Sequence, residues 1–378
     1  MSDIKDESTH LTQAQAEVAA IDAAAAGDAI PDAVLEGAGI AVDTALPTWR
    51  RLITNPVVMT FFFLVVTMLI FTIGAPGKFG TKSNIEQLAL NVAILTVVSV
   101  GTTFVIATAG IDLSIPSGIV LGEVFAVKAL SLIHVGTGSA VDVAATDTKA
   151  WYILVALAGS LTAGLLLGLI NGFTVGYMRI PPMLATLGSL GGGLGIALLL
   201  QNGVNVATYA LNPVATSHAI PGVPNLIVIG LLAVAAGYVL MHKSMFGRHT
   251  LAIGSSEEAA RRVGLNVERH LLKVYTLGGL ASGFAGFLAV AYFSTTSVAG
   301  HSTDNLQAIT AVALGGTSLF GGAASIIGTL IGVWIPAVLQ NGFIIIGVQS
   351  YWQMVAVGVV LILAIYTDQL RRRSQNRR

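Results

Sequence analysis

Beyond Trp49 the chain is a succession of long apolar runs parted by short polar joints. The runs fall near 57–74, 86–107, 116–134, 151–171, 183–201, 223–241, 272–292, 323–343 and 350–367, with a shorter one over Leu306–Ser318. About 20 mostly apolar residues cross a bilayer as an α-helix, so each long run predicts one span. The expected fold is all-α: a polytopic membrane protein of about ten transmembrane helices, the short run making a short or broken crossing.

Charge orients these spans. Lys and Arg gather in cytoplasmic loops, and with the N-terminus inside, the inner side holds fifteen of them. These are Lys5, Arg50, Arg51, Arg179, Lys243, Arg248, Arg261, Arg262, Arg269, Lys273, Arg371, Arg372, Arg373, Arg377 and Arg378. The outer side holds Lys78, Lys82 and Lys149, and Lys128 falls within a span. Both termini are therefore expected in the cytoplasm, which requires that 306–318 cross. Trp49 on the inside and Trp151, Tyr152, Tyr351 and Trp352 on the outside suit interfacial anchors.

Composition agrees: 54% of the 378 residues are hydrophobic and 10% charged, against about 25% charged in soluble domains. The 43 glycines suit close helix packing, and the absence of cysteine excludes disulfides, thiolate metal sites and a Cys nucleophile. Residues 1–48 stand apart. The first 46 carry nine acids against Lys5 alone, and read as an acidic, mostly disordered tail. Its start, MSDIKDESTH, lacks the basic and apolar regions of a secretory leader. Residues 49–370 form the membrane domain, and 371–378 a basic C-terminal tail.

Three joints carry more than hydrophobicity. In 243–273, Ser255 or Ser256 can cap a helix whose first turn holds Glu257 and Glu258, with Arg261 and Arg262 at pairing distance and Gly264 as its stop. In GIDLSIPSGIVLGE, residues 110–123, Gly110 allows a turn, Ser114 can cap the next helix and Pro116 suits its first turn. Asp112 then reads as a solvated loop carboxylate that caps or braces the turn. Glu123 lies two turns inside a span, where a charge costs about 2.5–3.5 kcal/mol, and Lys128 is too far round the helix for an ideal pair. In AVALGGTSLFGGAASIIGTLIG, residues 311–332, a shift of 206 sets Gly110 on Gly316, Leu113 on Leu319 and Gly122 on Gly328. That suits a parallel internal repeat.

At these joints the chain resembles the permease subunits of bacterial ABC importers for monosaccharides, the ribose/xylose/arabinose/galactoside group. AGIDLSIPSG is similar to that family's Gly-Ile-Asp-Leu-Ser signature, and NLQAITAVALGGTSLFGG to its late Leu-Gly-Gly-Thr-Ser-x-x-Gly-Gly motif. GRHTLAIGSSEEAARRVGLNV resembles its Gly-Arg-x-x-x-Ala-Ile-Gly loop, and RIPPMLATLGSL the start of one of its spans. The likeness runs from about Asn55 to Leu370. It implies structural motif positions at Gly110, Asp112, Ser114, Gly315, Gly316, Thr317, Ser318, Gly321 and Gly322. It further implies that 243–273 is a cytoplasmic coupling loop, with Gly247, Arg248, Glu257, Glu258, Ala259, Ala260, Arg261, Arg262 and Gly264 meeting a separate ABC ATPase. Glu258-Ala259-Ala260 with Gly264 fits the first half of the broader importer EAA-x3-G loop, and the downstream Leu-Pro half is missing. The implied function is translocation of a pentose or hexose across the bacterial inner membrane, delivered by a periplasmic or extracellular binding protein, through a homodimer of this chain. Two departures matter. The family reads Ser-Val-Gly-Ser where this chain has Ser114-Ile115-Pro116-Ser117, and small or apolar residues where it has Glu123. Glu123 is thus either a determinant of the solute path or a locally paired group.

The chain carries no nucleotide site of its own. The nearest imitation of a P-loop, around Gly77-Lys78, has Thr72 and Phe79 at required positions. ATP and Mg are expected on the ATPase, with no cofactor or metal in this chain and no enzymatic role for it. No nucleic acid is expected among its partners. His242 and His249 form no metal pair, and no G-x-S-x-G elbow is present. The two NPV triplets, Asn55–Val57 and Asn212–Val214, start ordinary helices or turns rather than channel half-helices. The alternative is an ion-coupled secondary transporter, which needs intramembrane carboxylates; Glu123 alone qualifies. Candidate path residues are the polar groups in or near spans: Asn91, Asp112, Glu123, Asn171, Gln201, Asn202, Gln340 and Asn341.

Overall fold

The computed structural model describes residues 55–133 and 150–375. The acidic tail, the Trp49 anchor and the longer joint at 134–149 lie outside the described residues. Asn55 caps α1 (Pro56–Gly74), its side chain accepting from the Val57 N–H at 3.0 Å. There follow α2 (Lys82–Ala107), α3 (Ile115–Leu132), α4 (Ala150–Gly176) and α5 (Pro182–Gln201). The short α6 (Asn212–Thr216) precedes α7 (Asn225–Tyr238), which a π-helical turn extends through Lys243. Then come α8 (Met245–Ser255), α9 (Glu257–Arg262) and α10 (Val267–Phe293), followed by α11 (Asp304–Leu314), α12 (Ile326–Gly332), α13 (Trp334–Ile345) and α14 (Ser350–Gln375). The described residues form no sheet, only two isolated bridges.

Among the described residues, eight helical stretches are long and apolar enough to span a membrane, and α14 contains a shorter apolar stretch, Tyr351–Tyr366. Their burial sorts them. Of the apolar windows, 83% of α2 and 72% of both α3 and α10 are buried, against 17% of α5 and 22% of α1. The first three form the centre, and the others present Phe61, Phe62, Leu184 and Leu199 outward, as a hydrocarbon solvent permits.

Glycine lets α10 lie directly on α4. A Cβ on Gly168 would stand 2.7 Å from the Tyr275 carbonyl and 2.8 Å from the Thr276 Cα; one on Gly172 would stand 2.7 Å from the Leu272 Cα. In lipid, where apolar burial drives little association, such backbone approach supplies the dispersion that holds helices together. Gly328 and Gly332 likewise pack on Gly315 and Ala311. The Gly188/Gly192 pair of α5, by contrast, meets nothing within 4 Å.

The short run crosses by an irregular route. After Phe293 the chain doubles back, and His301 reaches Glu123, eight residues into α3, or about 12 Å from its start at 1.5 Å per residue. From there α11 and the glycine-rich 315–325 segment carry it to the end of the molecule that holds the charged loop. There the Gly322 N–H donates to the Ala107 carbonyl at 3.1 Å, and Gly254 packs against both. The two glycine-rich joints with shifted similarity, after α2 and after α11, thus lie side by side.

Two expectations are corrected. Ser114 stands at the N-cap of α3 but makes no capping bond; its hydroxyl donates instead to Asp112. Asp112 is no solvated loop carboxylate: it is 3% exposed.

Candidate functional site

In the half of the molecule away from the charged loop, a cavity of about 570 Å³ opens between α2, the 294–303 segment, α11 and α13. Its size suits a small solute. Leu95, Val98 and Ala337 supply apolar wall; Asn91, Gln307, Gln340 and Asn341 supply amides. The structure therefore brings together three of the sequence candidates, Asn91 from α2 and Gln340 and Asn341 from α13. Asn341 is held by a reciprocal amide pair with Asn84, both bonds 3.0 Å. Gln307 donates to Thr303 Oγ1 at 3.2 Å.

Glu123 stands behind this cavity, fully buried. Its Oε2 accepts from the Ser297 N–H at 2.8 Å, and its Oε1 lies 2.9 Å from His301 Nε2. The other ring nitrogen of His301 lies 2.7 Å from Asp304 Oδ2. Lys128, exposed, takes no part. The sequence reading missed His301 and Asp304. The i,i+3 spacing of His301 and Asp304 was visible, and an unpaired carboxylate within a span demanded a partner, yet 178 residues separate Glu123 from His301.

The 294–303 segment is fastened on its other side as well. Thr296 donates to Gln201 Oε1 at 2.8 Å and accepts from the Val206 N–H at 2.9 Å. Gln201 thus braces the segment rather than lining the cavity. Asn202 ends α5 in the left-handed region and is exposed, away from the cavity.

Asp112 and Asn171 belong to a separate buried network. Asp112 Oδ1 accepts from the Ser114 N–H at 2.8 Å and the Ser114 hydroxyl at 2.6 Å, and Asn171 Nδ2 donates to Ser114 Oγ at 2.8 Å. Burial pushes the Asp112 carboxyl up, against the downward pull of the Ser114 bonds. Thr186 Oγ1 accepts from the Leu113 N–H at 3.0 Å, tying the joint to α5. These groups brace the family-motif turn and stand apart from the cavity.

The charged loop forms the opposite end. Ser256, not Ser255, caps α9, accepting from the Ala259 N–H at 3.2 Å, and Gly264, at φ +85°, stands just past its end, where the left-handed backbone favours glycine. Arg261 meets Glu257 at 2.8 Å and Arg262 meets Glu258 at 2.5 Å. Arg261 also reaches Glu268, in the first turn of α10, at 2.6 Å. The loop holds a second helix that the sequence reading did not resolve, α8, which contains Gly247 and Arg248. Thr250 of α8 lies 2.8 Å from His270 Nε2 of α10. Both loop helices are therefore bonded to α10, while Glu258 and Arg262 remain exposed. Among the described residues no cluster of His, Asp and Glu has the geometry of a metal site.

Comparison with known proteins gives this architecture a family. A profile described as branched-chain amino acid transport system / permease component matches residues 84–365. The chain is 33% identical over 324 residues to the ribose import permease protein RbsC of Escherichia coli K12, covering 82% of this chain and 92% of that one. It is 30% identical over 329 residues to the fructose import permease protein FrcC of Rhizobium meliloti, covering 85% and 87%. It is also 30% identical over 361 residues to the xylose transport system permease protein XylH of Escherichia coli K12, covering 82% and 91%. No solved structure matches. Helices, motif joints and sequence agree, and the chain belongs to this family of transport-system permease components.

Proposed function

We propose that this chain is the membrane permease of an ATP-driven importer, carrying a monosaccharide through the cavity walled by Asn91, Gln307, Gln340 and Asn341. Two copies pair, a soluble binding protein delivers the sugar to the cavity end, and a separate ATPase docks at the charged loop. The charged loop faces the cytoplasm, in accord with the basic residues gathered there. The observation that carries the reading is the double tie of Arg261, to Glu257 within α9 and to Glu268 at the root of α10. A push on α9 then acts on α10, one of the three central helices, whose far end leads into the 294–303 segment beside the cavity. Each exposed pair contributes at most about 1 kcal/mol, so the tie matters for what it connects rather than for its strength.

ATP hydrolysis by the partner ATPase tests the docking site. Stimulation by the reconstituted permease should fall at least tenfold in Glu258→Arg/Arg262→Glu, which keeps an i,i+4 pair but reverses the charges offered to a partner. Undiminished stimulation by the swapped variant would remove α9 from the interface.

A further inference from the structure

We propose that Glu123, His301 and Asp304 form a charged latch that fixes one wall of the cavity and selects an uncharged polyhydroxy solute against its sugar-acid counterpart. Asp304 is the specificity-determining group and Glu123 a positioning residue. The inference rests on the sugar-import reading and adds what the cavity rejects.

The charge of the latch follows from a proton count. Both ring nitrogens of His301 face carboxylate oxygens, Glu123 at 2.9 Å and Asp304 at 2.7 Å. Each contact needs one proton. Two protons shared among an imidazole and two carboxylates leave a net charge of minus one wherever they rest: imidazolium between two carboxylates, or neutral imidazole beside one carboxylic acid. That charge has one outlet. Glu123 is 0% exposed and His301 8%, whereas the Asp304 side chain is 21% exposed and lines the cavity.

In the lining only the His301 imidazole offsets it. No Lys or Arg stands among the described residues around the cavity, whose other polar side chains are amides and hydroxyls. Those groups both donate and accept, which suits sugar hydroxyls, and they offer a carboxylate no counter-charge. Two unit charges about 6 Å apart at an effective dielectric of about 20 repel by roughly a hundredfold in affinity. The imidazole offsets part of this, so discrimination of at least about tenfold is expected.

Glu123 sets the position of the wall. It receives both the Ser297 N–H and His301, so one carboxylate inside α3 holds two points of the 294–303 segment. An amide in its place can still accept from the Ser297 N–H but has no charge with which to hold an imidazolium.

The test uses the full chain in lipid nanodiscs, with saturation-transfer NMR of ribose, xylose and fructose and of ribonate and xylonate. Wild type should bind at least one neutral sugar at least about tenfold more tightly than its acid. Asp304→Asn, at a partly exposed first-turn position that tolerates the change, should bring that ratio close to one. Glu123→Gln should weaken neutral-sugar binding about tenfold and speed hydrogen exchange across 294–303, a readout that selectivity alone would not move. If wild type binds the sugar but Asp304→Asn leaves the ratio unchanged, or Glu123→Gln leaves exchange unchanged, the latch is overturned and sugar import stands. If no neutral sugar binds and the complete transport system moves none of the three, the sugar reading falls and the selectivity claim with it.

Discussion

Two glycine-to-alanine substitutions should have opposite consequences, although both fall in apolar membrane helices. A Cβ placed on Gly279 of α10 would stand 2.6 Å from the Gly168 Cα and 2.7 Å from the Gly168 nitrogen. Non-bonded carbons prefer about 3.5–4.0 Å, so α4 and α10 must part by about 1 Å. The obstacle is backbone, and no side-chain rotation relieves it. A gap of that size forfeits between a quarter and a half of each neighbouring contact, individually about 0.1–0.2 kcal/mol. Summed along a seam that includes Gly164, Gly168, Gly172 and Gly283, this gives the usual overpacking cost of about 1–3 kcal/mol. Gly192→Ala on α5 meets nothing within 4 Å, and gains the helix propensity of Ala over Gly, up to about 1 kcal/mol in aqueous helices. Unfolding in mixed detergent micelles, followed by intrinsic fluorescence, measures both. Gly279→Ala should unfold at clearly lower denaturing-detergent fraction than wild type, and Gly192→Ala at the same or a higher one. Equal losses in the two variants would refute the assignment of α4–α10 as the tight seam and α5 as a free face.

Ser114→Ala removes the hydroxyl that both donates to Asp112 and accepts from Asn171; stranding buried polar partners costs about 1–3 kcal/mol, measurable in the same titration. His301→Ala strips Glu123 and Asp304 of the imidazole that stands between them. Leaving a buried carboxylate without its partner costs about 3–5 kcal/mol, so this variant should unfold at a clearly lower detergent fraction than wild type, and an unchanged midpoint would contradict the latch geometry.

What the sequence disclosed was local. The apolar runs located all the long helices because a span must be apolar along its whole length. The Ser256 cap, the Glu257–Arg261 and Glu258–Arg262 pairs and the Gly264 stop all act within one or two turns, and they stand in the structure where the spacing put them. Contacts over longer distances were hidden. Nothing near Glu123 names His301, and nothing near Asn91 names Gln340; only the way α2, α11 and α13 pack brings these groups together. Ser114 shows the opposite failure. Its local signal for a helix cap was sound, but its oxygen accepts from the Asn171 amide, 57 residues on, while its hydroxyl donates to the buried Asp112. The 306–318 crossing was legible as short, but its route was not, because a segment that turns back to Glu123 and returns through glycine-rich coil carries no periodic pattern.

The central claim is that this permease moves a sugar only when an ATPase drives it through the charged loop. The most direct measurement is uptake of labelled ribose, xylose and fructose into proteoliposomes containing the chain, its binding protein and its ATPase, with ATP inside and no ion gradient. Uptake of at least one sugar that requires both ATP and the ATPase, and that is lost in Glu258→Arg/Arg262→Glu, is the predicted result. Uptake without the ATPase, driven by a proton or sodium gradient and abolished by Glu123→Gln, would contradict it.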